Sequence, residues 1–242
     1  MCGITGALSP NFGLATESTV RRMVGAVLHR GPDDGGIWSD SDAGIALGHR
    51  RLAILDLSPA GQQPMTSACG RYVIVFNGEV YNHLDLRKLL RAAKGVDAPW
   101  RGHSDTETLL YAFREWGLDD TLQLASGMFA IAVWDREEQC LTLARDRFGE
   151  KPLYYGWVDG ALVFGSELKS LQQYPGFRGE LESEVLERYL RFGCVGGQQS
   201  IFRDVFKLPP GSLLKVSLAD IKSGKRPQPA QWWSAVDAAR YA

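Results

Sequence analysis

Phe129-Ala130-Ile131-Ala132-Val133-Trp134, then Asp135-Arg136-Glu137-Glu138-Gln139, then Cys140-Leu141-Thr142-Leu143-Ala144: two apolar runs, with β-branched and aromatic residues, flank a short polar connection. Each run has the length of a strand, and a connection this short joins antiparallel neighbours. The pattern repeats at 153–157 and 161–164, joined across Val158-Asp159-Gly160, where Asp-Gly suits a tight hairpin turn. Further strand signals lie at 4–8, 44–55, 72–76 and 213–216. Helical periodicity appears at 17–28, 84–93, 106–116 and 182–192, which supplies helices to cover the outer faces of the sheets. The expected class is therefore α/β (α+β), layered, with antiparallel sheets.

The 242 residues are 45% hydrophobic, enough for an ordinary globular core. Acidic and basic residues nearly cancel, 28 against 27, so no field of one sign gathers nucleic acid or an anionic membrane surface. No run of apolar residues reaches the length of a membrane span, and Met1 is followed at once by Cys2-Gly3 rather than by a secretion signal. A cytoplasmic location is expected, with neither nucleic acid nor membrane as partner. The cysteines at 2, 69, 140 and 194 form no C-x-x-C pair, and the histidines at 29, 49, 83 and 103 join no H-E-x-x-H pattern, so no metal site is expected.

Cys2 is the exception to that scatter. If Met1 is trimmed, the same residue carries a thiol and a free α-amine. Their ordinary pKa values, about 8.5 and about 7.7–8.0, let the amine take the thiol proton near neutrality. That is a nucleophile and its base on one residue. Gly3 allows close approach of a substrate, and Ile4-Thr5-Gly6-Ala7-Leu8 holds the site on a strand end.

Five motifs occur in order: Met1-Cys2-Gly3-Ile4-Thr5-Gly6, His29-Arg30-Gly31-Pro32-Asp33, His49-Arg50-Arg51-Leu52-Ala53-Ile54, Phe76-Asn77-Gly78-Glu79-Val80-Tyr81-Asn82 and Ser104-Asp105-Thr106-Glu107. Together they resemble the class II glutamine amidotransferases. Within that family, the stretches Arg145-Asp146-Arg147-Phe148-Gly149-Glu150-Lys151-Pro152-Leu153-Tyr154-Tyr155 and Lys207-Leu208-Pro209-Pro210-Gly211 are similar to the glutaminase domain of glutamine-dependent asparagine synthetases. The resemblance implies an N-terminal nucleophile hydrolase fold, a four-layer αββα sandwich of two antiparallel sheets between helical layers. It implies L-glutamine as substrate, Cys2 as nucleophile, and Asn77 with the Gly78 N–H as the oxyanion hole. Arg51 would clamp the substrate carboxylate, Asp105 and Glu79 would face its α-amine, and backbone around Ile54 would complete the pocket.

Local readings stand beside these roles. Asn77-Gly78 between apolar runs is a type I′ hairpin signal. Ser104 with Glu107 three residues later reads as a capping box at a helix start, where an ionised Asp105 is well placed. Arg50 adjoins Arg51, but the position directly before Leu-x-Ile is the one carried over.

The glutaminase domain is expected to span 1–218, with 219–242 a linker and tail. The polar Lys222-Ser223-Gly224-Lys225-Arg226-Pro227-Gln228-Pro229 stretch reads as running toward an ATP-dependent synthetase domain. No Ser-Gly-Gly-x-Asp-Ser loop or Walker-type run is found, so no cofactor is expected here; ATP and Mg belong to that absent domain. Apolar surface facing a missing partner would favour self-association as a homo-oligomer. Other readings stay open: an asparagine-synthetase-like enzyme with another acceptor, a non-catalytic interaction module of the same fold, or a hydrolase of a different amide.

Overall fold

The computed structural model describes residues 1–11, 13–53, 58–94 and 99–240. In chain order the elements are β1 (Gly3–Leu8), α1 (Glu17–Gly25), β2 (Asp34–Asp40), β3 (Ile45–Arg51), β4 (Met65–Thr66), β5 (Tyr72–Val80), α2 (His83–Lys94) and α3 (Asp105–Leu124). They continue with β6 (Gly127–Asp135), β7 (Cys140–Arg145), β8 (Tyr154–Val158), β9 (Ala161–Gly165), α4 (Leu168–Leu171), α5 (Ser183–Phe192), β10 (Val205–Lys207), β11 (Ser212–Ser217), α6 (Leu218–Ser223), β12 (Ala230–Gln231) and α7 (Ala235–Arg240).

The strands form two antiparallel sheets, β10-β8-β9-β1-β3-β2 and β12-β11-β7-β6-β5-β4. Side chains alternate across each sheet with period 2, and the cores follow that alternation. From the first sheet, Ile4, Leu8, Ile45 and Leu47 meet Val73, Val75, Ala130, Ala132 and Trp134 of the second. The opposite face of the first sheet gives Ala7, Ala46 and Val163 to α1 and α4 through Val20, Met23 and Leu171. The outer face of the second gives Ile74, Phe76, Phe129 and Ile131 to α2 and α3 through Leu86, Leu109 and Phe113. Each such large apolar side chain contributes about 1.5–3 kcal/mol on burial. This is the expected αββα sandwich.

The quoted hairpins form as read. β6 pairs with β7, and Asp159 with Gly160 turns β8 into β9 with φ of 47° and 83°, as a type I′ turn requires. The Asn77-Gly78 turn does not form. β5 runs straight through it, pairing Asn77 with Ala130 and Gly78 with Phe129. Gly78 is required there for closeness rather than for a turn, since a Cβ would lie 2.3 Å from the Met128 carbonyl oxygen. The capping box at α3 is half made: Ser104 Oγ accepts from Thr106 N–H at 3.0 Å, but the Glu107 carboxylate accepts from Arg101 and Gly102 N–H instead. α3 also continues past 116, kinked at Gly117 with φ 78°.

Within 219–242, α6 is helical, β12 pairs with β11, and Trp232 stacks on Phe129 at 6.3 Å. Arg147 lies over that indole, 5.2 Å from its centroid.

Candidate active site

The alternation that builds the core also points the polar residues. On β3, Ile45 and Leu47 face the second sheet, so His49 and Arg51 face it too, while Arg50 turns outward and donates to the Gly31 carbonyl at 2.9 Å. On β5, Val73 and Val75 face the first sheet, and Asn77 continues that row. Cys2, two residues before Ile4, faces the same layer. Where the apolar side chains of the layer end, these groups line a cavity of about 110 Å³ with Gln63, Gly78, Glu79, Asp105, Thr106 and Lys151. Six of the seven residues expected in the site thus come together: Cys2, Arg51, Asn77, Gly78, Glu79 and Asp105. Ile54 lies outside the described residues.

The thiol is seated by backbone. Leu52 N–H donates to Cys2 Sγ at 3.4 Å, toward the atom on which negative charge develops on deprotonation. The Cys2 carbonyl accepts from Arg30 Nε at 2.9 Å. Arg30 is held in turn by Glu167 at 3.0 Å, which also takes His29 at 2.9 Å and Lys169 at 3.1 Å. Burial alone would raise the Glu167 carboxyl, but the hydrogen bonds from Arg30, His29 and Lys169 outweigh it and bring its pKa down to about 2. Met1 still covers the Cys2 nitrogen, and its Sδ lies 3.8 Å from Lys151 Nζ.

Asn77 is 1% exposed and its Nδ2 has no hydrogen-bond partner. A buried amide donor left unsatisfied costs stability of about 1–3 kcal/mol, which a ligand oxygen would recover. Along the same strand the N–H groups of Phe76, Gly78 and Val80 share one edge by antiparallel alternation. Phe76 N–H goes to Gln63 Oε1 at 2.6 Å and Val80 N–H to Asp105 Oδ2 at 2.9 Å. The Gly78 N–H is the one between them, on the edge that lines the cavity.

Asp105 is buried, and its oxygens accept from Val80 and Thr106 N–H at 2.9 and 2.8 Å. Burial pushes its carboxyl above the usual range, against the lowering effect of those two bonds. Two carboxylate oxygens have room for about four donors, so a substrate ammonium can still be taken. Arg51 is 8% exposed and donates from Nη1 to the Ser58 carbonyl at 3.1 Å. The cavity is therefore lined by a guanidinium, two carboxylates and a thiol, charges of both signs beside a nucleophilic atom.

Sequence reasoning left out several residues now seen in the site. Lys151 is presented by a turn in which Asp146 collects the N–H groups of Phe148, Glu150 and Lys151 at 2.9–3.1 Å. It stood in a quoted motif without a role. His49 stood in another, and Gln63 in none. Among the described residues no cluster of His, Cys, Asp or Glu suits a metal ion, and no helix is long and apolar enough to cross a membrane.

An αββα sandwich with a cysteine at the head of β1, facing a charge-lined pocket between the sheets, is the layout of the N-terminal nucleophile hydrolase fold. The chain belongs to the glutamine amidotransferase domain family, whose model matches residues 1–233. It is 39% identical to asparagine synthetase [glutamine-hydrolyzing] 3 of Bacillus subtilis over 226 residues, covering 90% of this chain and 35% of the relative. A putative asparagine synthetase [glutamine-hydrolyzing] of Methanocaldococcus jannaschii is 33% identical, covering 86% of this chain and 42% of that one. The chain thus spans well under half the length of these curated relatives. In fold it is similar to the glutamine phosphoribosylpyrophosphate amidotransferase of B. subtilis, with a TM-score of 0.66 at 17% identity over 96% of this chain and 49% of that one.

Proposed function

We propose that this domain, once Met1 is removed, hydrolyses the side-chain amide of L-glutamine through a thioester on Cys2. Arg51 takes the α-carboxylate, and Asp105 with Glu79 takes the α-ammonium. The freed α-amine accepts the thiol proton and Sγ attacks the amide carbon. The oxyanion that forms is met by Asn77 Nδ2 and the Gly78 N–H. Collapse expels ammonia, protonated by the α-ammonium, and leaves the glutamyl thioester. Water, deprotonated by the same amine, then releases glutamate and restores the thiol. The net reaction is glutamine plus water to glutamate plus ammonia.

The observation that carries this reading is the unsatisfied, buried Nδ2 of Asn77 in the cavity that Cys2 also lines. A glutamate-release assay on protein confirmed by mass to lack Met1, run beside Cys2→Ala, tests it. Release that persists in the variant would overturn it.

The relatives named asparagine synthetases support a second step in a longer protein: transfer of the ammonia to aspartate by an ATP- and Mg-dependent synthetase domain, in the cytoplasm. The glutaminase domain would then be 1–218 and the segment from 219 the approach to that partner. The domain itself would need no cofactor, and its uncovered apolar surface would let it self-associate.

A further inference from the structure

Among the described residues, no strand pairs with the edge of β5 beyond Ile74, where the Gly78 N–H lies. β4 pairs only Met65 with Ile74 and Thr66 with Val73. The same register continued by two residues brings Gln63 opposite Phe76, yet there the ladder changes character. Gln63 offers its side chain: Oε1 accepts from Phe76 N–H at 2.6 Å, and Nε2 donates to Thr106 Oγ1 at 3.2 Å, next to Asp105. The Phe76 carbonyl is taken from the other sheet, by His49 Nε2 at 3.1 Å. A carbonyl only accepts, so Nε2 carries the ring proton and Nδ1 the lone pair. Burial keeps the ring neutral, its pKa down at about 4.

Both backbone polar groups of Phe76, the residue before Asn77, are therefore held by side chains rather than by a strand. His49 stands on β3, two residues from Arg51, and reaches across the layer between the sheets. Gln63 joins the same residue to the start of α3. Between them they tie three parts of the pocket to one point: the strand bearing Asn77 and Gly78, the strand bearing Arg51, and the helix start bearing Asp105. We propose that His49 and Gln63 are positioning residues, which set Asn77 and Gly78 at the distance from Cys2 Sγ that the tetrahedral intermediate needs. The proposal rests on the glutaminase reading above and adds to it the parts that fix the oxyanion hole.

A positioning role has a signature distinct from general support. Misplacing a preorganised donor by about 1 Å costs on the order of 10²-fold in rate, while ground-state contacts made elsewhere survive. The experiment compares His49→Leu, which removes the donor, with His49→Gln, which keeps an N–H at similar reach. Gln63→Glu keeps the acceptor for Phe76 N–H and loses the donor to Thr106; Gln63→Leu loses both. For each, kcat is read with glutamine, and the affinity of the γ-aldehyde analogue of glutamine, which adds to the thiol as a tetrahedral species, is read by inhibition. Glutamine binding is measured separately in the Cys2→Ala background.

The expected result is a fall of roughly 10- to 100-fold in kcat and a matching loss of aldehyde affinity for His49→Leu and Gln63→Leu. Glutamine affinity should stay within about threefold, and His49→Gln should recover most of the rate. A kcat unchanged in His49→Leu while Asn77→Ala is slow would overturn the positioning role and leave the glutaminase reading intact. Equal losses in glutamine affinity and kcat would also overturn it, since they would mark general support. A wild-type protein that releases no glutamate would fail the glutaminase reading itself. Should His49→Leu not fold, His49→Gln and Gln63→Glu decide the question by the same ratios.

Discussion

Replacing Asn77 by Ala removes one donor and little else. The side chain is 1% exposed, its Nδ2 bonds to nothing in the free protein, and its backbone pairing with Ala130 does not depend on it. No ground-state hydrogen bond from Nδ2 is lost, and in the proposed reaction Arg51 and Asp105 still bind the substrate's charged ends. The loss therefore falls on the transition state. A single oxyanion donor of this kind is worth on the order of 10²–10³ in kcat, about 2.7–4 kcal/mol. Glutamate release at saturating glutamine should drop by that factor with KM changed by less than about threefold. Asn77→Asp should be slower still, because it places an acceptor where charge develops. A kcat within threefold of wild type, or a raised KM with kcat unaltered, would refute the assignment of Asn77.

Gly78→Ala should lower stability by about 1–3 kcal/mol in denaturant unfolding, because the added Cβ meets the Met128 carbonyl oxygen at 2.3 Å and Phe129 Cα at 2.7 Å, both backbone; an unchanged midpoint would contradict that closeness. Arg51→Lys loses the planar fork and should weaken glutamine binding on the order of 10- to 100-fold in the Cys2→Ala protein, measured by calorimetry. Because burial raises the Asp105 carboxyl above its ordinary 3.8, glutamine affinity should begin to fall at a pH above that value as the solution is acidified, and Asp105→Asn should bind weakly without that limb. His49 is held neutral, with a pKa of about 4 against 6.5 when unfolded; the stability this contributes, about 3 kcal/mol, is fully present above pH 6.5 and is lost as pH falls toward 4. In His49→Gln the unfolding free energy should accordingly change less across that window.

The sheets were legible wherever apolar runs had hairpin-length spacers, as in β6 with β7 and β8 with β9. β2 was not, because Asp34-Gly35-Gly36 gives it little strand character; its place comes from pairing with β3 along its whole length. Asn77-Gly78 misled for a related reason: the dipeptide that favours a turn also suits a strand whose partner passes too close for a side chain. Arg51 over Arg50 follows from period-2 alternation with Ile45 and Leu47, once β3 is known to be a strand. His49 and Gln63 carry no such signal. Their bonds to Phe76 span 27 and 13 residues and exist because β4 stops short, which no local pattern encodes. Leu52 meets Cys2 across 50 residues and acts through its backbone, to which residue type is a poor guide.

In the proposed reaction the γ-carbonyl of glutamine becomes bonded to the sulfur of Cys2. Protein with Met1 removed, mixed with glutamine, quenched in acid during turnover and digested, should show a glutamyl adduct on the peptide that begins at Cys2, with Cys69, Cys140 and Cys194 unmodified. Steady glutamate release with no adduct at Cys2, or with the adduct on another cysteine, would contradict it.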